Sequence, residues 1–220
     1  MRDTYHEDLD ALGERLIEMA RFARHAMERA TTALLEADLN AAQEVISEDD
    51  ALNDIDEEIE RVAFDLMARQ QPVAQDLRMI ITALHMSGDL ERMGDLAVHL
   101  AKTARRRHPE SAIPPELRTI VTDMGQQADV LVAKAGEVLS KRDVDLALQL
   151  EQDDDKMDEL HRRMLTRILD PDWQHSVEST IDITLAGRFY ERFGDHAVHV
   201  ANHLVYMVTG EKPDDFDREI

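Results

Sequence analysis

Glu91, Asp95 and His99 recur one hundred residues later as Glu191, Asp195 and His199. Each trio is spaced i, i+4, i+8, which on an α-helix places all three side chains on one narrow face. Two further pairs share that four-residue spacing, Asp49 with Asn53 and Asp154 with Asp158. Carboxylates gathered in this way make an oxygen-rich site, suited to hard or borderline cations such as Mg²⁺, Mn²⁺ or iron. A lone Glu-x-x-x-Asp is more often a solvated helix face or an arginine partner. Recurrence of the whole stripe gives the ligand reading a weight that neither copy has alone.

Gly94 and Gly194 occupy the same point of both stripes. A mid-helix glycine costs about 1 kcal/mol relative to alanine. Its repetition implies either tight helix packing or room for a bound group. His196, His199 and His203 fall at i, i+3, i+7 and suit Zn²⁺ or Ni²⁺. Only His99 answers them in the first copy, so packing is the preferred reading of His196 and His203. Met79, Met86 and Met93, seven residues apart, read as core. There is no Gly-rich phosphate loop, nucleotide fingerprint or Ser nucleophile motif, and with no cysteine there is no thiolate chemistry. Paired acids can activate a metal-bound water, but nothing in the sequence outlines a substrate pocket.

Helices must position these faces. Leu9, Leu12, Leu16, Met19, Ala23, Ala26, Ala30 and Ala33 keep a three-four alternation, as do Leu52, Ile55, Ile59, Val62 and Leu66. A third helix is expected from about Ala74 to Arg107. A second set follows, from about Pro115 to Arg142, Val144 to Leu169 and Ser176 to Val208. The prolines all fall at the predicted breaks. Pro115 suits a first turn and Asp143 an N-cap. Trp173, beyond Asp170-Pro171-Asp172, is expected to cover a bundle end. The charged tail after Gly210 is expected to fray.

The chain is an internal duplication. Glu91-Arg92-Met93-Gly94-Asp95-Leu96-Ala97-Val98-His99 matches Glu191-Arg192-Phe193-Gly194-Asp195-His196-Ala197-Val198-His199 at seven of nine positions. Upstream, Asp38-Leu39-Asn40-Ala41-Ala42 aligns with Asp143-Val144-Asp145-Leu146-Ala147 at an offset of 105. A net loss of five residues between the second and third helices of the second copy reconciles the two offsets. The expected architecture is all-α: two tandem, pseudo-symmetric three-helix bundles, residues 1–110 and 111–220, with long antiparallel helices.

A formal net charge of −22 argues against nucleic-acid binding. The run Arg105-Arg106-Arg107-His108 closes a predicted helix, where cations offset the macrodipole. No secretory signal or 18-residue apolar run is present, so a cytoplasmic protein without membrane insertion is expected. So acidic a surface suits cations or basic partner surfaces.

Arg69-Gln70-Gln71-Pro72-Val73-Ala74-Gln75-Asp76-Leu77-Arg78, followed by the two Glu-Arg-x-Gly-Asp copies at Glu91–Asp95 and Glu191–Asp195, resembles the PhoU family. The resemblance runs from about residue 5 to 210. It implies two tandem three-helix bundles in a cytoplasmic, often dimeric, non-enzymatic regulator. Its partners would be the ATPase of the phosphate ABC transporter and the phosphate-sensing histidine kinase of a two-component system. Such proteins keep the starvation regulon off when phosphate is plentiful. Some relatives bind iron or zinc clusters through acidic repeats. By that resemblance the ligands here would be Glu91 with Asp95, Glu191 with Asp195, and Asp154 with Asp158. The last pair would be Asp49 with Asn53, where an amide offers only a carbonyl oxygen. Rival readings are a metal-storage or metal-dependent hydrolytic bundle, and an inert oligomerisation module.

Overall fold

The computed structural model is described here for residues 2–211, with side chains from Glu7 onward. Six long helices follow one another: α1 (Arg2–Glu36), α2 (Leu39–Gln70), α3 (Gln75–Arg107), α4 (Arg118–Lys141), α5 (Val144–Ile168) and α6 (Val177–Thr209). Among the described residues there is no strand. Apart from Glu211, the charged tail expected to fray lies outside them.

The connections repeat as the sequence does. Two residues join α1 to α2, Ala37 and Asp38, and two join α4 to α5, Arg142 and Asp143. Ala37 and Arg142 both turn the chain through a left-handed backbone, φ 53° and 52°. The following aspartate then caps the next helix. Asp38 accepts from the Asn40 and Ala41 amides at 2.9 and 3.1 Å, and Asp143 from Leu146 at 3.0 Å. Connections so short hold successive helices antiparallel. Pro115 opens a 3₁₀ turn, Pro115–Leu117, that leads into α4. The second copy loses its residues at the end of α5, which has 25 residues against 32 in α2. Its longer link to α6 carries Trp173, whose Nε1 donates to Thr180 Oγ1 at 2.9 Å while its ring packs against the core.

Both halves bury their apolar faces in one continuous core. In α1 the expected seam is buried throughout except at Ala26, which is half-buried, and in α2 except at Val62. Met86 and Met93 are fully buried, and Met79 packs against the same core from its edge. Helices α1, α3, α4 and α6 form the shared interior: α3 packs on α6, and α1 and α6 both pack on α4. Helices α2 and α5 flank it, each packing chiefly on its own half. Small residues set this spacing. A Cβ at Gly125 of α4 would collide with Thr31 of α1, whose hydroxyl meets the buried Tyr190 hydroxyl at 2.7 Å. The basic run ending α3 does more than offset a dipole. Arg106 and Arg107 each donate to Asp182 of α6 at 2.6 Å, and Asp182 is buried.

Candidate metal centre

The acidic faces lie where a flanking helix meets an interior one, α2 against α3 and α5 against α6. In the second half, Asp154 and Asp158 on α5 come together with Glu191 and Asp195 on α6: the charges of Asp158, Glu191 and Asp195 act on Asp154, and that of Asp158 acts on Glu191 and Asp195. Burial, then repulsion from Asp195, Asp158 and Glu191, pushes the Asp154 carboxyl up to about 8. Glu191 rises to about 7, through burial and the charge of Asp195 against the relief given by Arg188. Burial raises Asp195 as well. Two oxygens in this cluster are buried without a hydrogen-bond partner, Asp154 Oδ1 and Glu191 Oε2. Only Glu191 Oε1 receives a guanidinium, from Arg188. An orphaned carboxylate oxygen costs the full desolvation of the group. Two such oxygens in one acidic cluster fit a bound hard cation.

The first half is a weaker version. Burial and the charge of Asp95 raise Asp49, with Lys102 pulling it back. Burial and Asp95 also raise Glu91, against Arg92. Asp95 itself takes Arg92 at 2.5 Å. Asn53 follows one turn after Asp49 on the same face and is half-buried. Asp56, which the sequence did not single out, joins this group through its effect on Glu91 and accepts from the Ser87 hydroxyl. The counterparts of Lys102, Asp56 and Ser87 are Asn202, His161 and Gly187. The second half therefore has no equivalent of the Lys102 ammonium that moderates Asp49, and its cation is Arg188.

The repeated glycines serve different neighbours. A Cβ at Gly94 would strike Leu52, whereas at Gly194 it would strike Asp154 Oδ1. Gly94 is thus a packing residue, and Gly194 lets a carboxylate lie against α6. We expect Gly194→Ala to weaken Mn²⁺ binding in the second half by about tenfold or more. Gly94→Ala should instead cost about 1–2 kcal/mol of stability. Calorimetric titration and denaturant unfolding of the two variants separate these effects. Unchanged Mn²⁺ binding in Gly194→Ala would show that the carboxylate needs no such approach.

The histidine triplet meets a partner from the other half. Asp89 of α3 lies 2.9 Å from His196 Nδ1, 3.5 Å from His199 Nδ1 and 3.4 Å from His203 Nε2. Burial tends to raise the Asp89 carboxyl, but its contacts with the three imidazoles override it and hold the group well below the usual carboxylate range. His99, the counterpart of His199 in the first copy, stacks instead on Phe189, the counterpart of Asp89.

The family model for the PhoU domain matches the chain twice, over residues 16–104 and 121–204. The chain belongs to the PhoU family. Each matched segment lies within one three-helix half of this PhoU fold. The phosphate-specific transport system accessory protein PhoU homolog 2 of Mycobacterium tuberculosis is 48% identical over 213 residues, 97% of this chain and 100% of that one. PhoU homolog 1 of Mycobacterium leprae is 47% identical over 215 residues, 98% of this chain and 97% of its own. The crystal structure of PhoU from Pseudomonas aeruginosa matches with a TM-score of 0.84 at 31% identity, covering 94% of this chain and all of that one. The phosphate transport system regulatory protein PhoU of Streptococcus pneumoniae gives a TM-score of 0.85 at 24% identity, over 96% and 99% of the two chains, and shares the fold.

Proposed function

We propose that this chain is a negative regulator of phosphate uptake and of phosphate-starvation signalling, acting in the cytoplasm without catalysing a reaction. One observation carries the reading: near-full-length identity of almost one half to accessory proteins of phosphate-specific transport. In this reading the chain, as a homodimer, is an adaptor between the transporter ATPase and the phosphate-sensing histidine kinase. No described helix is long and apolar enough to cross a membrane, so contact with membrane complexes would run through their cytoplasmic parts. Asp154, Asp158, Glu191 and Asp195 would hold a divalent or iron-type cation (Mg²⁺, Mn²⁺, iron or Zn²⁺), and Asp49, Asn53, Glu91 and Asp95 a weaker one. The cation supplies positive charge to a face that otherwise repels itself.

The test is affinity capture of the tagged full chain from cells grown in high and in low phosphate. The transporter ATPase and the kinase should both be recovered, with several-fold enrichment in high phosphate. Recovery of neither, from a lysate in which both are detected, would overturn the adaptor role.

A further inference from the structure

We propose that Asp89, His196 and His199, with His203 as a fourth ligand, form a transition-metal site at the α3–α6 seam, separate from the carboxylate sites and suited to Zn²⁺. The donor set differs in kind from the acidic faces. It offers imidazole nitrogens and one carboxylate oxygen, the mixture that zinc takes and that magnesium and calcium do not. One ligand atom each from Asp89, His196 and His199 all lie within 4.8 Å of one another.

The spacing fits a metal better than it fits hydrogen bonds alone. Only the His196 contact, at 2.9 Å, is short enough for a good hydrogen bond. His199 and His203 stand back at 3.5 and 3.4 Å. Ligand atoms about 2.0–2.1 Å from a tetrahedral zinc are about 3.3 Å from one another. Asp89 Oδ1 faces His196 and His199, and its Oδ2 faces His203.

The cluster is also built rather than incidental. Asp89 and His196 are each only 13% exposed, and His203 18%, while His199 opens to solvent at 49%. That gradient gives a metal ion an entry side. Rings around the site are held in place: His203 stacks on His85 at 5.1 Å and 10°, and His196 meets His199 edge to face at 5.6 Å. On α3, Asp89 lies one turn beyond His85, and on α6 the three histidines share one face. The duplication supplies a control. At the pseudo-equivalent place Phe189 stacks on His99 and no carboxylate is offered. The site therefore belongs to one side of the molecule only.

Cobalt substitution tests this on the full chain freed of metal by chelation, with the oxygen sites saturated by Mg²⁺. Four-coordinate cobalt with nitrogen ligands absorbs strongly in the visible, whereas octahedral cobalt on oxygen absorbs weakly. One equivalent of Co²⁺ should develop the strong band, and one equivalent of Zn²⁺ should abolish it. His196→Gln/His199→Gln should lose the band and bind Zn²⁺ more than about 100-fold more weakly, measured against a chromophoric chelator. Asp89→Asn, which keeps shape and removes charge, should weaken binding at least tenfold and decides the matter if the double variant fails to fold. Asp154→Asn/Asp158→Asn should retain the band in full. No strong band in wild type would overturn the proposal. So would a band that survives both histidine and Asp89 variants, or one lost with the α5 acids.

Discussion

Cells lacking this chain should express phosphate-responsive genes at starvation levels even when phosphate is abundant. The chain carrying Glu91→Gln, Asp95→Asn, Glu191→Gln and Asp195→Asn should reproduce much of that defect. A regulator that does no chemistry must bind one conformational state of its partner better than another. About 1.4 kcal/mol of differential affinity gives a tenfold shift. The two acidic faces are the most distinctive surfaces available for that contact, and the four changes remove their charge. They should leave the fold intact, because the partners lost are Arg92 and Arg188 on the same helices, one turn away and about half exposed. Pairs of that kind contribute ~0.2–0.5 kcal/mol each. Reporter expression in high phosphate, compared among wild type, deletion and the fourfold variant with helicity checked by circular dichroism, reads the outcome. Normal repression in the deletion strain, with no second copy of the gene present, would defeat the regulatory assignment. Normal repression in the folded fourfold variant would move the working surface away from α3 and α6.

The helices were legible in the sequence because their cores are written at a three-four spacing and their ends are marked by proline and aspartate. The Leu9-to-Ala33 seam and the Asp143 cap both lie where that pattern places them. What the pattern could not carry is which residue of one helix meets which residue of another. Gly94 and Gly194 sit in the same Glu-Arg-x-Gly-Asp motif, yet one accommodates Leu52 and the other Asp154. The two acidic clusters also differ in their neighbours: Asn202 stands where the first half has Lys102, and His161 where it has Asp56. Those differences become visible once the two copies are aligned by offset. Asp89 left a fainter trace: a carboxylate at a position that the other copy fills with Phe189. Its histidine partners lie more than one hundred residues away on the opposite half. Arg106 and Arg107 were read from helix-end position alone, and their shared acceptor Asp182 lies some 75 residues further on.

The metal-free protein should lose stability as pH rises from about 4.5 to 8, and a divalent cation should restore it. The sign follows from the carboxyls whose values are raised in the folded state. Asp154 titrates near 8 and Glu191 near 7, while their ordinary values are 3.8 and 4.5. Asp195, Asp49 and Glu91 are raised as well. Between the ordinary and the raised values the folded chain holds more protons than the unfolded one, so raising the pH favours unfolding. His199, raised by its contact with Asp89, acts in the same direction above its ordinary 6.5. His161 opposes over a narrower window, because burial lowers it and its charging destabilises the fold as pH falls below 6.5. Asp89, held low, contributes stability that is lost only as pH drops below its ordinary 3.8, outside this window. Asp154→Asn removes the largest raised group. It should stabilise the metal-free protein at pH 8 by on the order of 2 kcal/mol and flatten the profile, with little effect at pH 4.5. In wild type, Mn²⁺ or Mg²⁺ at one hundred times its dissociation constant should add about 2.7 kcal/mol. At pH 7 its binding should expel protons from the α5–α6 cluster, seen as a binding heat that varies with the buffer's ionisation enthalpy. By pH 9 that buffer dependence should be much smaller, since Asp154 and Glu191 are then largely ionised. Thermal unfolding of metal-free wild type and Asp154→Asn across this range, with and without Mn²⁺, measures every part. A wild-type profile that is flat or rises toward pH 8 would mean that these carboxyls find their compensation within the protein, with no call for a cation.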